Sequence, residues 1–320
     1  MQLDDLPSPL VFGYAVVLGL FGGSFLNVVI YRVPRGMSVV RPPSHCPACG
    51  AKLKIYDNIP VVSYLALRGR ARCCKAKISP RYPLVELIGA GVALALVTQL
   101  ERTGGSLPIG RALAIFAANL ALGLALVAVA FIDLEHMYVP DAISIGGTLF
   151  GLATFSLRGL SFTDALLGAA LGFAVVWLPF GVLYKWIRGR TGMGLGDAKL
   201  VMLAGAWFGW IGAVFALLAG AVQGTLAVIA LLLTRGRIEE PAAVEEEKRE
   251  TAEELARMTP EERAEAEAEL ARDPLYEPSA PGLGIRRIAF GPFLALAMLE
   301  YLLLGRDFIG NYVQWLTGPV

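Results

Sequence analysis

Charged side chains are scarce in this chain. Asp, Glu, Lys and Arg make up 17% of its 320 residues, where soluble domains carry roughly a quarter. With 56% apolar residues and a mean hydropathy of +0.60, a soluble globular domain of this length is excluded. The N-terminal MQLDDLPSP has no basic n-region, and no small-residue cleavage site follows the first apolar run, so a cleavable signal peptide is not expected. The glycine-rich stretch GMGLGDAKL (192–200) has neither a preceding strand pattern nor a Lys-Ser/Thr after its glycines, which excludes a phosphate cradle. A net charge of +1 gives no reason to expect a nucleic-acid partner. No soluble-type repeat stands out. Cysteine is limited to four residues, all within 46–74.

The apolar residues are concentrated in runs near the ~20 residues that span a hydrocarbon core. Spans are expected at 11–30, 84–100, 112–132, 142–157, 165–187, 198–208, 211–234 and 288–304, the sixth and seventh being broken at Gly209-Trp210. The expected fold is an all-α polytopic membrane protein of about eight transmembrane helices, with a small cysteine-containing cytoplasmic domain after the first. The corresponding segments are 1–31 (first helix), 32–83 (cysteine/basic domain), 84–234 (core, helices two to seven), 235–287 (charged helical insert) and 288–320 (last helix and tail). Eleven Lys and Arg against one acid, Asp57, fall between residues 32 and 81. With eight spans, Lys185, Arg188, Arg190, Arg235 and Arg237 fall on the same side as that basic segment, so both large polar segments are expected in the cytoplasm.

That topology brings Asp133 (end of the third span), Asp141 (start of the fourth) and Asp197 (start of the sixth) to one end of the bundle. A carboxylate at bilayer depth is costly and usually faces a cavity. The sixth span is too short to cross unless Asp197 already lies below the surface. Gly192, Gly194 and Gly196 let non-helical backbone approach closely there, which is tolerated only where it is shielded from lipid. Two acids facing one cavity suit aspartic-protease chemistry, with one carboxylate ionised to activate water and the other protonated to donate to the scissile carbonyl. Each acid has a blander reading: Asp141 after Pro140, and Asp197 opening the sixth span, as helix N-caps; Asp133 as a solvated interfacial acid beside Glu135 and His136. The Cys46-Pro-Ala-Cys49 knuckle with Cys73-Cys74 two dozen residues on suggests a structural four-thiolate zinc site. Adjacent Cys73 and Cys74 do not easily reach one tetrahedral ion, so a distorted site, three thiolates with His45 or water, and no metal all stay open. Since the cysteines are expected in the reducing cytosol, structural disulfides are not.

Glu239–Glu277 is strongly acidic and alanine-rich. Thr259-Pro-Glu-Glu262 reads as a capping box with Pro at the first helical position, and Pro274 closes the run; two charged, solvated helices in a hairpin are expected.

Several stretches together resemble the type IV prepilin peptidases: GSFLNVVIYRVP (23–34), CPAC (46–49), DNIP (57–60) with SYL (63–65), ISPRYPLVE (78–86), IDLE (132–135) through Pro140-Asp141, GMGLGDAKL (192–200) and FGPF (290–293). The resemblance implies a bifunctional enzyme of the bacterial inner membrane with its active site at the cytoplasmic face. Such an enzyme would cleave the basic leader of type IV prepilins, and of the pseudopilins of type II secretion, after a glycine. It would then N-methylate the new terminus with S-adenosylmethionine. The family's catalytic aspartates fall on Asp133 and Asp197, with Gly194, Gly196 and Asp141 in support. Gly69 and Arg70 match positions linked to methyl transfer, Arg70 standing where a lysine can occur. Zinc would fall to Cys46, Cys49, Cys73 and Cys74, with one departure: the first member of the family's second CxxC pair aligns with Ala71, and Cys73 is extra. The insert 239–277 is longer than the family's loop. A peptidase without methyltransferase activity is the nearer alternative. A proton-coupled solute carrier is the remote one, disfavoured because the two halves show no repeat.

Overall fold

The computed structural model describes residues 1–104, 107–188, 192–235, 242–270 and 288–317. The helices are α1 (Ser8–Arg32), α2 (Val62–Ala66), α3 (Arg81–Gly104), α4 (Ile109–His136), α5 (Asp141–Ala153), α6 (Phe162–Val176), α7 (Tyr184–Arg188), α8 (Leu195–Arg235), α9 (Ala242–Arg257), α10 (Pro260–Leu270) and α11 (Gly291–Thr317). Among the described residues there is no strand, only isolated bridges. The π-helical stretch Trp177–Leu183 joins α6 to α7 into one apolar rod.

Among the described residues, five helical segments are long and apolar enough to cross a bilayer, and Asp141–Ala153 and Gly291–Leu304 are shorter apolar helices. The longest, α8, is continuous in its hydrogen bonding but not in direction. Gly209 adopts φ 75° and ψ −176°, which is neither helical nor accessible to a residue with a β-carbon without strain. A β-carbon placed on Gly172 of α6 would lie 2.4 Å from the Val201 carbonyl and 3.3 Å from the Ala213 β-carbon. A straight helix would hold residues 201 and 213 about 18 Å apart. The chain therefore turns back at Gly209, and α8 is two antiparallel arms, 195–208 and 210–235. Counting these arms separately gives eight apolar helical segments among the described residues. The break falls where the Gly209-Trp210 pair was expected to place it.

The arms pack on α6, α5 and α11, while α1 lies along α3 and both meet α4. In lipid, apolar burial between helices supplies little driving force, so close backbone approach and interhelical hydrogen bonds carry the packing. Gly205 of α8 and Gly168 of α6 meet backbone to backbone: a β-carbon at Gly205 would fall 2.0 Å from the Gly168 carbonyl oxygen. Ile30, Leu126, Ile132, Leu200, Leu203, Trp207, Leu294 and Met298 fill the centre.

Between α1 and α3 the polar segment folds around two knuckles. Cys46 N–H donates to Ala51 O and Gly50 N–H to Cys46 O, both at 2.8 Å; Ala71 N–H donates to Ala76 O at 2.8 Å and Lys75 N–H to Ala71 O at 2.9 Å. Each knuckle is closed by an antiparallel bridge, His45–Lys52 and Arg70–Lys77. This is an internal repeat, HCPACGAK against RARCCKAK, in which Ala71 stands where the first knuckle has Cys46. Asp57, the lone acid, pairs with Arg72 at 2.7 Å.

In the insert, the capping box forms: Glu262 Oε2 accepts from Thr259 N–H at 2.9 Å, and Thr259 Oγ1 accepts from Glu262 N–H at 3.4 Å. The Thr259 N–H holds the Glu262 pKa below its ordinary value. Helix α9 packs on α4 rather than standing free in solvent, with Val244 and Leu255 buried. Val244 and Leu255 share one helical face, so a stripe within a charged sequence suffices to dock it. Pro274 and the rest of 271–277 lie outside the described residues.

Candidate active site

Asp133 sits in the last turn of α4. Met137 ends that helix in the left-handed conformation (φ 49°), its N–H capping the Asp133 carbonyl at 2.9 Å. The Asp133 residue is only 5% exposed, which removes the reading of a solvated interfacial acid. From the cap the chain runs through buried Val139 into α5. Val139 closes on the glycine loop: a β-carbon at Gly196 would lie 3.0 Å from that of Val139.

Asp197 arrives from the other side. It occupies the first turn of α8, not its cap, where a carboxylate is favoured by the helix N-terminus. The N–H of Gly194 donates to it, and the Asp133 carboxyl is close enough to act on it electrostatically. The loop itself is anchored by Gly192, whose N–H donates to the Phe180 carbonyl at 2.8 Å. Phe180 lies in the π-helical turn, and π-bulges recur at functional sites.

A third element completes the site. The N–H of Gly291, first residue of α11, donates to the Asp133 carboxyl. A β-carbon on Gly291 would fall 2.6 Å from Asp133 Oδ2 and 3.4 Å from the Leu200 side chain. Each aspartate thus has one glycine N–H, and both lie among Val139, Leu200 and neighbouring apolar groups. The stretch FGPF marked Gly291 as part of a pattern without suggesting its contact; a glycine-proline pair opening an apolar helix was the available signal.

Asp141 does not cap α5. Pro140 holds the cap position, and Asp141 is the first helical residue. Its Oδ1 meets Lys199 Nζ at 2.6 Å, an ion pair that the sequence reading missed.

The four thiols converge despite the adjacency of Cys73 and Cys74. Cys46 Sγ lies 3.7 Å from Cys74 Sγ, Cys49 Sγ 3.4 Å from Cys73 Sγ, and Cys73 Sγ 3.9 Å from Cys74 Sγ. All four lie within 4.8 Å of one another. A tetrahedral ion with metal–sulfur bonds of about 2.3 Å needs sulfur–sulfur edges of roughly 3.8 Å, so the donor set fits zinc. In the repeat, Cys73 stands at the place of Ala48 and Cys74 at that of Cys49, and adjacency does not keep either thiol from the cluster. Backbone N–H groups of Ala48 and Cys49 bring the Cys46 thiol down to about 7, while the hydrogen bond with Cys49 pushes Cys73 up to about 12.

Gly69 is explained locally. It takes φ 68° after α2, its N–H donates to Tyr64 O at 2.9 Å, and the Tyr64 ring packs where a side chain would be. Arg70 is tied into the second knuckle.

Residues 17–100 match the bacterial peptidase A24 N-terminal domain, and residues 120–229 the type IV leader peptidase family. A prepilin leader peptidase/N-methyltransferase of Myxococcus xanthus (strain DK1622) is 42% identical over 241 residues, 74% of this chain and 69% of that protein. Proteins of the same description from Neisseria gonorrhoeae (37% identical; 72% of this chain, 85% of that protein) and Pseudomonas putida (38%; 69% and 81%) are also similar. No solved structure matches. With relatives this similar over more than two thirds of both chains, the chain belongs to the type IV leader peptidase family.

Proposed function

We propose that this chain is a prepilin peptidase and N-methyltransferase of the bacterial inner membrane, with its reacting groups at the cytoplasmic face, and that Asp133 and Asp197 are its catalytic dyad. The observation that carries this reading is the meeting of these two carboxyls, each with one glycine N–H, at the end of the bundle that also bears the basic cysteine domain. One carboxylate takes a proton from water as the water oxygen bonds to the carbonyl carbon of the leader's last glycine. The other acid donates its proton to the carbonyl oxygen. Collapse of the diol breaks the C–N bond, and a carboxyl returns a proton to the departing amine. Gly291 and Gly194 fix the orientation of the two acids, and Gly196 admits Val139 beneath them. Burial lets a like-charged pair share a proton instead of both ionising in water.

The amine so released is the methyl acceptor, and S-adenosylmethionine supplies the methyl group. We assign this second activity to the segment 32–83. Cys46, Cys49, Cys73 and Cys74 would hold a zinc ion there as a structural crosslink between the knuckles, without a role in bond cleavage. Prepilins and pseudopilins are the proposed substrates. The test is incubation of the purified protein with a prepilin and S-adenosylmethionine. Loss of the leader followed by a gain of one methyl group supports both activities, and loss of the leader alone supports a peptidase only.

A further inference from the structure

We infer that Lys199, through its ion pair with Asp141, is a positioning residue that sets where Asp197 stands relative to Asp133; this rests on the proposal that these two aspartates form the dyad. The arm 195–208 has no regular helix continuing it at either end. It begins at the glycine loop and stops at the Gly209 reversal. Besides its close packing on α6, it lies along α5, which runs parallel to it: Gly147 lies against Leu203, Trp207 Nε1 donates to Gly147 O at 2.9 Å, and the Trp207 ring covers Gly151. The far ends of both helices are tied by one side chain. Arg158 donates to Trp207 O at 3.0 Å and to Gly151 O at 2.5 Å, a cation at two helix C-termini.

The near end has a tie of its own. Lys199 follows Asp197 by two residues, about 200° around the helix, so the two side chains diverge: Asp197 toward Asp133, Lys199 toward α5. The Lys199 side chain is 18% exposed and reaches Asp141 Oδ1 at 2.6 Å. Asp141, whose side chain is 58% exposed, is joined to Asp133 by the short connection that caps α4 and passes through buried Val139. The ion pair therefore links the arm that carries one aspartate to the turn that follows the other.

The test uses the full-length purified protein with a prepilin, reading kcat and KM separately, and thermal unfolding of the same samples. Lys199→Met is expected to lower kcat roughly 30–100-fold with KM changed less than about threefold, the scale of a ~1 Å displacement of a catalytic group. Lys199→Arg should stay within about fivefold of wild type, and Asp141→Asn, which keeps an acceptor, should fall less than Asp141→Ala. The double variant Asp141→Ala/Lys199→Met should be no worse than the worse single variant, because both remove one interaction. Wild-type kcat in Lys199→Met, or losses that multiply in the double variant, would overturn the inference. If Lys199→Met does not fold, the Asp141 series and Lys199→Arg carry the same test. A wild-type protein that cleaves no prepilin would overturn the protease proposal instead; the unfolding midpoints then still report whether residues 141 and 199 are coupled, and additive losses there would refute the link.

Discussion

Adding one methyl group at position 291 should separate activity from stability. Gly291 opens α11 and is not among the residues in the left-handed region, so alanine fits its backbone and is the better helix former by up to ~1 kcal/mol. The new β-carbon would nevertheless fall 2.6 Å from Asp133 Oδ2 and 3.1 Å from Cγ. That is about 0.9 Å short of the ~3.5 Å at which such atoms are comfortable. Leu200, 3.4 Å from the same β-carbon, crowds it on another side. Either the carboxyl turns away from its partner or α11 backs off and withdraws its N–H. A displacement near 1 Å costs about 10²-fold in rate, so Gly291→Ala should lower kcat by one to two powers of ten, leave KM nearly unchanged, and leave the unfolding midpoint equal or higher. The assay is initial-rate cleavage of a prepilin alongside a thermal melt. A wild-type kcat in a folded Gly291→Ala protein would refute the placement of α11 against Asp133.

Cleavage should fall on both sides of a pH optimum, because the dyad needs one charged and one neutral carboxyl; a flat profile from acid to alkaline pH would contradict a shared-proton pair. At the cysteine cluster, Cys73→Ser should lower zinc affinity at least tenfold, and adding Ala71→Cys should restore it by rebuilding a CxxC knuckle with Cys74; metal analysis of the purified variants measures both, and undiminished zinc in Cys73→Ser would show that Cys73 is not a ligand. Zinc retention should also strengthen with rising pH. Cys73, pushed up to about 12, enters as a thiol and must lose its proton to bind, and Cys46, at about 7, becomes protonated as well below neutrality. Competition with a chelator at roughly pH 6 and pH 8 reads the sign, and tighter binding at the lower pH would contradict it.

The helical membrane architecture was legible because the bilayer imposes it: runs near 20 apolar residues have few alternatives. The reversal at Gly209 was legible for the same reason, since 198–234 is too long for one crossing. Asp133 and Asp197 stood out as acids at the edges of apolar spans. What was not legible depended on contacts between distant segments. Neither the Gly291 N–H at Asp133 nor the Asp141–Lys199 pair leaves a local signature, because each partner has an adequate reading where it stands. Asp141 after Pro140 looks like a cap, and Lys199 looks like an interfacial cation. The knuckle repeat was hidden by one substitution: with Ala71 in the place of a cysteine the spacing failed, although the backbone pattern around Ala71 is that around Cys46. Adjacent cysteines were judged by the usual spacing rule, and the turn that presents Cys73 from a third knuckle position is not encoded in spacing.

The central claim is that Asp133 and Asp197 act together on a prepilin leader. Its most direct test is the mass of a prepilin after incubation with S-adenosylmethionine and wild-type, Asp133→Asn or Asp197→Asn protein, each purified and shown to be folded. The wild type should remove the leader and yield a mature chain heavier by one methyl group, and both variants should leave the prepilin uncut. Leader removal by either asparagine variant at a rate near that of the wild type would contradict the account.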